Sequence, residues 1–143
     1  MNIDFFILPT QDDEQFYQFV STQVKSYYEA GKTVVIYAED LSCKELDARL
    51  WFNGKDDFLP HAYMAEVSPD YAKLPVVLVS EAASLKGINK DILIDLTLSD
   101  MPASNELKHL VKIVDQEPLR LQASRRYYKA LQQQGFTINV HKI

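Results

Sequence analysis

The chain is poor in the residues from which most catalytic and metal sites are built. Its 143 residues include four glycines, which do not cluster, and one cysteine, Cys43. Scattered glycines count against a glycine-rich loop that would hold a phosphate group. A single cysteine excludes an intramolecular disulfide and a thiolate-rich zinc site, and no histidine (His61, His109 or His141) has a partner at metal-ligand spacing. We therefore expect no catalytic residue, no cofactor and no metal.

Targeting signals and membrane-spanning segments are also missing. The N-terminus lacks the basic and apolar regions of a signal peptide, and no apolar run approaches the roughly 20 residues of a transmembrane helix. One cysteine fits a reducing compartment. These features predict a cytoplasmic protein without a membrane partner, and the length predicts a single domain over residues 1–143.

Basic charge is concentrated in the C-terminal part of a chain that is acidic overall. The net charge of −5 disfavours broad contact with nucleic-acid phosphates. Residues 118–143 nevertheless carry five basic side chains and no acidic one. Such a local reversal of sign is typical of a surface that meets an anionic partner.

Hydrophobic periodicity predicts strands that alternate with helices. We expect strands at residues 3–8, 33–38, 76–79, 91–96 and 110–114, an edge strand at 136–140, and helices at 12–31, 42–52, 102–109 and 118–135. Strands and helices that alternate over short connections form a mostly parallel sheet covered on both faces. The predicted fold is therefore α/β, a three-layer α/β/α sandwich.

Two segments could belong to a nucleotide site. Gly31-Lys32-Thr33 matches the end of a P-loop, but Ser26 stands where the motif needs its first glycine, and here the helix precedes the strand. We interpret Gly31 as a helix C-cap. Glu39 and Asp40 follow the second strand, where a dinucleotide fold places its ribose-binding acid, but the glycine fingerprint is absent. A small nucleotide-binding or phosphotransfer enzyme on a Rossmann-like fold is the alternative function, and it depends on these segments.

Large apolar side chains surround the end of the second predicted helix: Trp51, Phe58, Leu59 and Pro60. One interpretation is a loop that Phe58 pins to the core. The other is an anchor patch for another protein, since Trp and Phe are enriched at protein interfaces. Spacing alone leaves both open.

A helical wheel divides the basic helix into two faces. With Leu121 at 0°, the residues Arg125, Tyr128 and Lys129 lie between about −20° and about 80°. The opposite side carries the predicted core residues: Leu119, Ala123, Tyr127 and Ala130. Arg125 can bind a carboxylate bidentately, and Lys129 adds a charge one turn later. The face is either a solvated basic surface or a site for an acidic peptide with an aromatic anchor.

Three segments give the sequence a likeness to a known family. They are Leu50-Trp51 with Phe58-Leu59-Pro60-His61, then Asp91-Ile92-Leu93-Ile94-Asp95-Leu96, and finally Arg125-Arg126-Tyr127-Tyr128-Lys129-Ala130 with Gly135-Phe136. In order and spacing they resemble the chi subunits of bacterial DNA polymerase III holoenzyme, over nearly the whole chain. The resemblance implies a mononucleotide-binding-like fold without a functional nucleotide site. It also implies a non-catalytic clamp-loader subunit of a DNA-directed DNA polymerase.

The resemblance further implies two protein partners. One is the psi subunit of the clamp loader, and Trp51 and Phe58 match the aromatics that face it, with Leu59 and Pro60 beside them. The resemblance also implies that this surface can serve a helicase partner. The other is the acidic C-terminal tail of single-stranded DNA-binding protein, which ends in phenylalanine.

The tail-binding helix of the family is matched by Arg125, Tyr128 and Lys129. Contact with single-stranded DNA would then be indirect, and direct binding through the basic helix is a third interpretation. One position departs from the family, which can place a further lysine one turn before the arginine. Here Leu121 occupies that position, and the neighbouring Arg120 is the candidate replacement cation.

Overall fold

The polypeptide alternates strands and helices. The computed structural model describes residues 2–51, 59–65, 68–85, 88–98 and 108–143. Its strands are β1 (Asn2–Ile7), β2 (Val34–Tyr37), β3 (His61–Tyr63), β4 (Val76–Val79), β5 (Ile92–Asp95), β6 (His109–Val114) and β7 (Asn139–Lys142). Its helices are α1 (Asp13–Glu29), α2 (Asp40–Trp51) and α3 (Pro118–Gln133), with short 3-10 turns at Pro69–Lys73 and Ala82–Leu85.

The strands of these ranges form one seven-stranded parallel sheet, in the order β3-β4-β2-β5-β6-β1-β7. Strands β2 and β4 are buried at every position. Their sequences are therefore continuous apolar runs, as is typical of interior strands in a parallel sheet. Strand β7 lies at the edge and is exposed throughout, which confirms the predicted edge strand, although it begins at Asn139.

Two apolar cores separate the sheet from its helices. Alternate side chains of a strand face opposite sides, so that Phe6 and Leu8 face α1 whereas Ile3 and Phe5 face α3. Helices α1 and α2 cover one face, and α3 covers the other. The predicted three-layer α/β/α sandwich is confirmed. Among the described helices, none is long and apolar enough to cross a membrane.

The ends of α1 and α3 follow local sequence signals. Asp12 caps α1 by accepting a hydrogen bond of 3.0 Å from the backbone N–H of Glu14. Gly31 turns the chain after α1 with a φ of 81°, where glycine avoids the strain of a side chain. Glu117 caps α3, and Pro118 occupies its first turn.

Two elements differ from the prediction. The helix expected at 102–109 falls mainly outside the described residues, and His109 is the first residue of β6. Strand β3 is not predicted, because its three residues are too few to show a hydrophobic period.

Candidate protein-interaction surfaces

Open parallel sheets bind ligands outside the carboxyl ends of their strands, where neighbouring connections leave in opposite directions. In this sheet that point lies between β1 and β6. The chain leaves β1 through α1 toward β2, and it leaves β6 through α3 toward β7 on the other side. A nucleotide-binding protein of this topology would bind its ligand there.

Arg120 fills this crevice with ion pairs. Its guanidinium donates to Asp115 at 2.9 Å and 2.8 Å and to Asp13 at 2.8 Å, and it lies 4.4 Å from the ring centre of Phe16. The hydrogen bonds to Asp115 hold the pKa of Arg120 above its ordinary value. Because Arg120 binds the protein's own carboxylates, its role as the replacement cation for a partner is disfavoured.

The segments that could have formed a nucleotide site have structural roles. The N–H and hydroxyl of Thr33 donate to Asp91 at 2.9 Å and 3.1 Å, and these bonds lower the pKa of Asp91. This contact joins the amino ends of β2 and β5, at the sheet edge opposite the crevice. Asp40 begins α2, where it accepts a hydrogen bond from Tyr63 and pairs with Lys44.

The described residues offer little support for a metal site or a cysteine nucleophile. No group of three or more His, Cys, Asp or Glu side chains there is arranged to hold a metal. Cys43 is buried, and burial raises the pKa of its thiol to about 12. A thiolate nucleophile is therefore disfavoured at neutral pH.

Helix α3 exposes the predicted basic face. Arg125 and Lys129 are exposed, and Leu121 and Tyr128 are half-buried beside them. The Tyr128 ring packs edge-on against Phe5, at 5.6 Å between centroids. The structure therefore brings two cations and two apolar side chains to one face of the helix, which we call the α3 basic face (Leu121, Arg125, Tyr128 and Lys129).

The predicted core side of α3 is wrong in part. Tyr127 is buried, as expected, but Leu119 is 61% exposed. The buried residues of α3 are Ser124, Tyr127 and Leu131. The helix is therefore rotated relative to the prediction: the side that faces the sheet includes the small Ser124, whose hydroxyl donates to the Leu121 carbonyl at 2.9 Å.

The second candidate surface lies at the C-terminal end of α2. Trp51 is 52% exposed, and its ring centre lies 4.5 Å from that of His61. Pro60 is half-buried, and Phe58 lies outside the described residues. Leu59 is only 5% exposed and belongs to the core beneath α2, so a direct contact of Leu59 with a partner is disfavoured.

The sheet separates the two surfaces. Trp51 and His61 lie near β3, at one end of the strand order, on the face covered by α1 and α2. Helix α3 packs on the opposite face, over β1 and β6. The two candidate surfaces therefore do not overlap. His61 was not predicted to be a site residue, although a polar residue among apolar ones was a signal for it.

Two comparisons with known proteins identify the family of the chain. A family model described as DNA polymerase III chi subunit, HolC, matches residues 1–139. The DNA polymerase III subunit chi of Pseudomonas aeruginosa is 26% identical over 142 residues, which cover 99% of this chain and 96% of that protein. Both matches include the α3 basic face and the end of α2. The chain therefore belongs to the DNA polymerase III chi subunit family.

Proposed function

We propose that the protein is a non-catalytic adaptor of the replicative polymerase. In this proposal it joins the clamp loader, through the psi subunit, to the acidic C-terminal tail of single-stranded DNA-binding protein. Membership of the chi family makes it a subunit of DNA polymerase III. The observation that carries the finer proposal is the α3 basic face, which is exposed on a chain of net charge −5.

The chemistry of this face suits an acidic peptide that ends in phenylalanine. Arg125 can form two parallel hydrogen bonds to the terminal carboxylate, and Lys129 can attract the acidic residues before it. The phenyl ring can pack between the half-buried Leu121 and Tyr128 side chains. Such a contact is small and weakened by salt, which suits a partner that must be released as the fork advances.

The end of α2 is the proposed psi surface. Trp51 supplies the exposed aromatic anchor, with Pro60 beside it, and interface anchors are often tryptophan. Phe58 completes this surface in the proposal. The same surface would serve a helicase partner, and any contact with single-stranded DNA would be indirect. We place the protein in the cytoplasm, where bacteria replicate their chromosome.

A fluorescence-anisotropy titration with the tail peptide tests the proposal. The peptide is used with and without its final phenylalanine, against the wild type, Arg125→Ala and the control Arg126→Ala. Both variants lose one exposed positive charge of α3, but Arg126 lies about 100° from Arg125 around the helix. We expect binding that requires the phenylalanine and Arg125 and that survives Arg126→Ala.

Other outcomes point elsewhere. Equal weakening by the two variants would mean that net charge alone attracts the peptide. No binding by the wild type would remove the adaptor function. A single-stranded oligonucleotide that binds alone, with a steep salt dependence, would favour direct DNA binding.

A further inference from the structure

Strand β7 has a neighbouring strand on one side only. It pairs in parallel with β1, and among the described strands none lies beyond it. The N–H of Ile143 donates to the Ile7 carbonyl at 3.0 Å. Alternate residues of a parallel strand bond to the same neighbour, so His141 also bonds to β1, whereas the backbone N–H and C=O groups of Val140 and Lys142 point outward. An exposed edge of this kind can pair with a further strand.

A mostly apolar groove lies at the carboxyl end of this edge, on the side of the sheet that α1 covers. Its volume is about 460 Å³, and its walls include Leu8, Pro9, Phe19 and Ile143, with Thr22 at the rim. The Ile143 side chain is 57% exposed. Because the burial of apolar surface is favourable, this groove suits an aliphatic side chain of a segment that lies along β7.

The other side of the edge, toward α3, is basic. Val140 lies beside Phe5 in the register of the two strands, and the Tyr128 ring packs edge-on against Phe5. The α3 basic face therefore continues across Phe5 onto β7, where the exposed Lys142 projects from the same face as Val140. Residues 118–143, which include both α3 and β7, carry no acidic side chain. This side of the edge therefore attracts acidic side chains.

We propose that β7 pairs with an extended segment of another protein in which apolar and acidic residues alternate. Successive side chains of a strand face opposite sides, so that the apolar residues enter the groove beside α1 and the acidic residues meet Lys142. The backbone hydrogen bonds supply affinity, and the alternate side chains supply specificity. This third surface does not depend on the function proposed above.

A second copy of the chain fits this edge less well. Its own β7 carries His141 and Lys142 rather than acidic residues, and a lysine on an edge strand discourages pairing between identical edges. Two described carboxylates on the α1 side are already paired, Asp4 with His141 at 2.8 Å and Glu14 with Arg49. Lys142 therefore favours an acidic partner over a second copy.

Amide hydrogen exchange, followed by nuclear magnetic resonance, tests the pairing without any variant. The probe is a short synthetic peptide in which glutamate and valine alternate, and the control peptide has the same composition with the two residue types in separate blocks. In the free protein the amides of His141 and Ile143 should be protected by their bonds to β1, whereas those of Val140 and Lys142 should exchange readily.

The probe should slow exchange at Val140 and Lys142 roughly tenfold when its concentration is about ten times its Kd. The control peptide should leave these two amides unchanged. Absence of protection by the probe, or equal protection by both peptides, would overturn the proposal.

Val140→Pro tests the backbone contact. Proline lacks an N–H but is tolerated on an edge strand where that N–H faces solvent, so the pairing with β1 should remain, which urea unfolding verifies. In anisotropy titrations the probe should bind roughly tenfold more weakly, because an outward hydrogen bond is lost. The matched control Val140→Ala keeps the N–H and should bind as the wild type does. Equal binding by the two variants would overturn the proposal.

Thr22→Trp tests the groove. Thr22 is exposed at the rim, so the larger side chain can fill the groove without entering the core, and the probe should lose affinity. A peptide in which glutamate and glycine alternate should bind the wild type weakly and should be insensitive to Thr22→Trp. Unchanged affinity of the valine probe for this variant would overturn the assignment of the groove.

Lys142→Glu tests the charge. The glutamate probe should bind the variant roughly threefold more weakly or worse, the scale of one exposed ion pair, and a lysine–valine peptide should bind the variant more tightly than the wild type. If Arg125→Ala abolishes binding of the glutamate probe while Lys142→Glu and Val140→Pro leave it intact, then the probe occupies the α3 basic face. That outcome would overturn the proposal for β7.

Discussion

Arg120 donates from Nε and Nη2 to the two carboxylate oxygens of Asp115, at 2.9 Å and 2.8 Å. The Asp115 side chain is fully buried, and that of Arg120 is 20% exposed. This ion pair occupies the crevice between β1 and β6, where doubly wound proteins bind nucleotides. The same topology therefore serves here to hold α3 on the sheet.

Arg120→Ala should destabilise the protein by about 3 kcal/mol, because it leaves the Asp115 carboxylate buried without its partner. Urea unfolding of the wild type and the variant measures this loss. Arg125→Ala is the matched control, since Arg125 is exposed and its removal should change stability by about 0.5 kcal/mol or less. Equal losses in the two variants would contradict a structural role for Arg120.

ATP, GTP and NAD should leave the melting temperature of the protein unchanged. A ligand that binds the native state raises that temperature, but the crevice is filled by Arg120 and its carboxylates. A thermal-shift screen at millimolar nucleotide provides the measurement. A rise of several degrees with one nucleotide would favour the alternative, a nucleotide-binding or phosphotransfer enzyme.

The layers and most strands of this fold were predictable from the sequence, because β2 and β4 are apolar runs between recognisable helix ends. Strand β3 was not predictable, since three residues are too few to show a hydrophobic period. The face exposed by α3 was predicted at Arg125 and Lys129. The rotation of the helix about its axis was not predicted. Arg120 lies on the inner side of α3 because it pairs with Asp115 and Asp13, and a helical wheel takes no account of residues outside the helix.

Leu59→Ala and Trp51→Ala should separate stability from binding at the second surface. Leu59 is 5% exposed and Trp51 is 52% exposed. Leu59→Ala should cost about 3 kcal/mol through the cavity it leaves, whereas Trp51→Ala should cost less than about 1 kcal/mol. Trp51→Ala should nevertheless reduce co-purification with the psi subunit.

Urea unfolding and co-purification with psi, applied to both variants, check this pair. A wild-type yield of psi with Trp51→Ala would count against the assigned surface. A stable Leu59→Ala variant that fails to bind psi would restore Leu59 as a contact residue.

Asp4 should make part of the stability dependent on pH. His109 and His141 lie 2.5 Å and 2.8 Å from its two carboxylate oxygens, and His141 belongs to the edge strand β7. Burial raises the pKa of Asp4, but the hydrogen bonds from the histidines lower it more, so that it falls below the ordinary value of 3.8. The contribution is therefore present above pH 3.8 and is lost as pH falls through the lower, folded value.

Asp4→Asn tests this contribution. The variant should lose about 1–2 kcal/mol at neutral pH, since an amide cannot accept from both histidines. Urea unfolding across the acid range should show the difference from wild type shrinking as pH falls below about 4. A difference that stays constant with pH would mean that the carboxylate charge contributes nothing.

Leu121→Lys should strengthen binding of the acidic tail. Leu121 lies one turn before Arg125 on the α3 basic face, so that a lysine there would stand beside Arg125 and Lys129. A third cation there should tighten binding roughly threefold at low salt, the usual effect of one exposed ion pair. The gain should vanish near 1 M salt, where the screening length is about 3 Å.

The control Leu121→Met keeps an apolar side chain at this position without adding charge, and it should bind the tail as the wild type does. Anisotropy titrations of the three proteins at low and high salt measure the difference. If Leu121→Lys binds more weakly than Leu121→Met at low salt, then the apolar wall beside the phenylalanine outweighs the added charge. Leu121 would then be a contact residue for the tail in its own right.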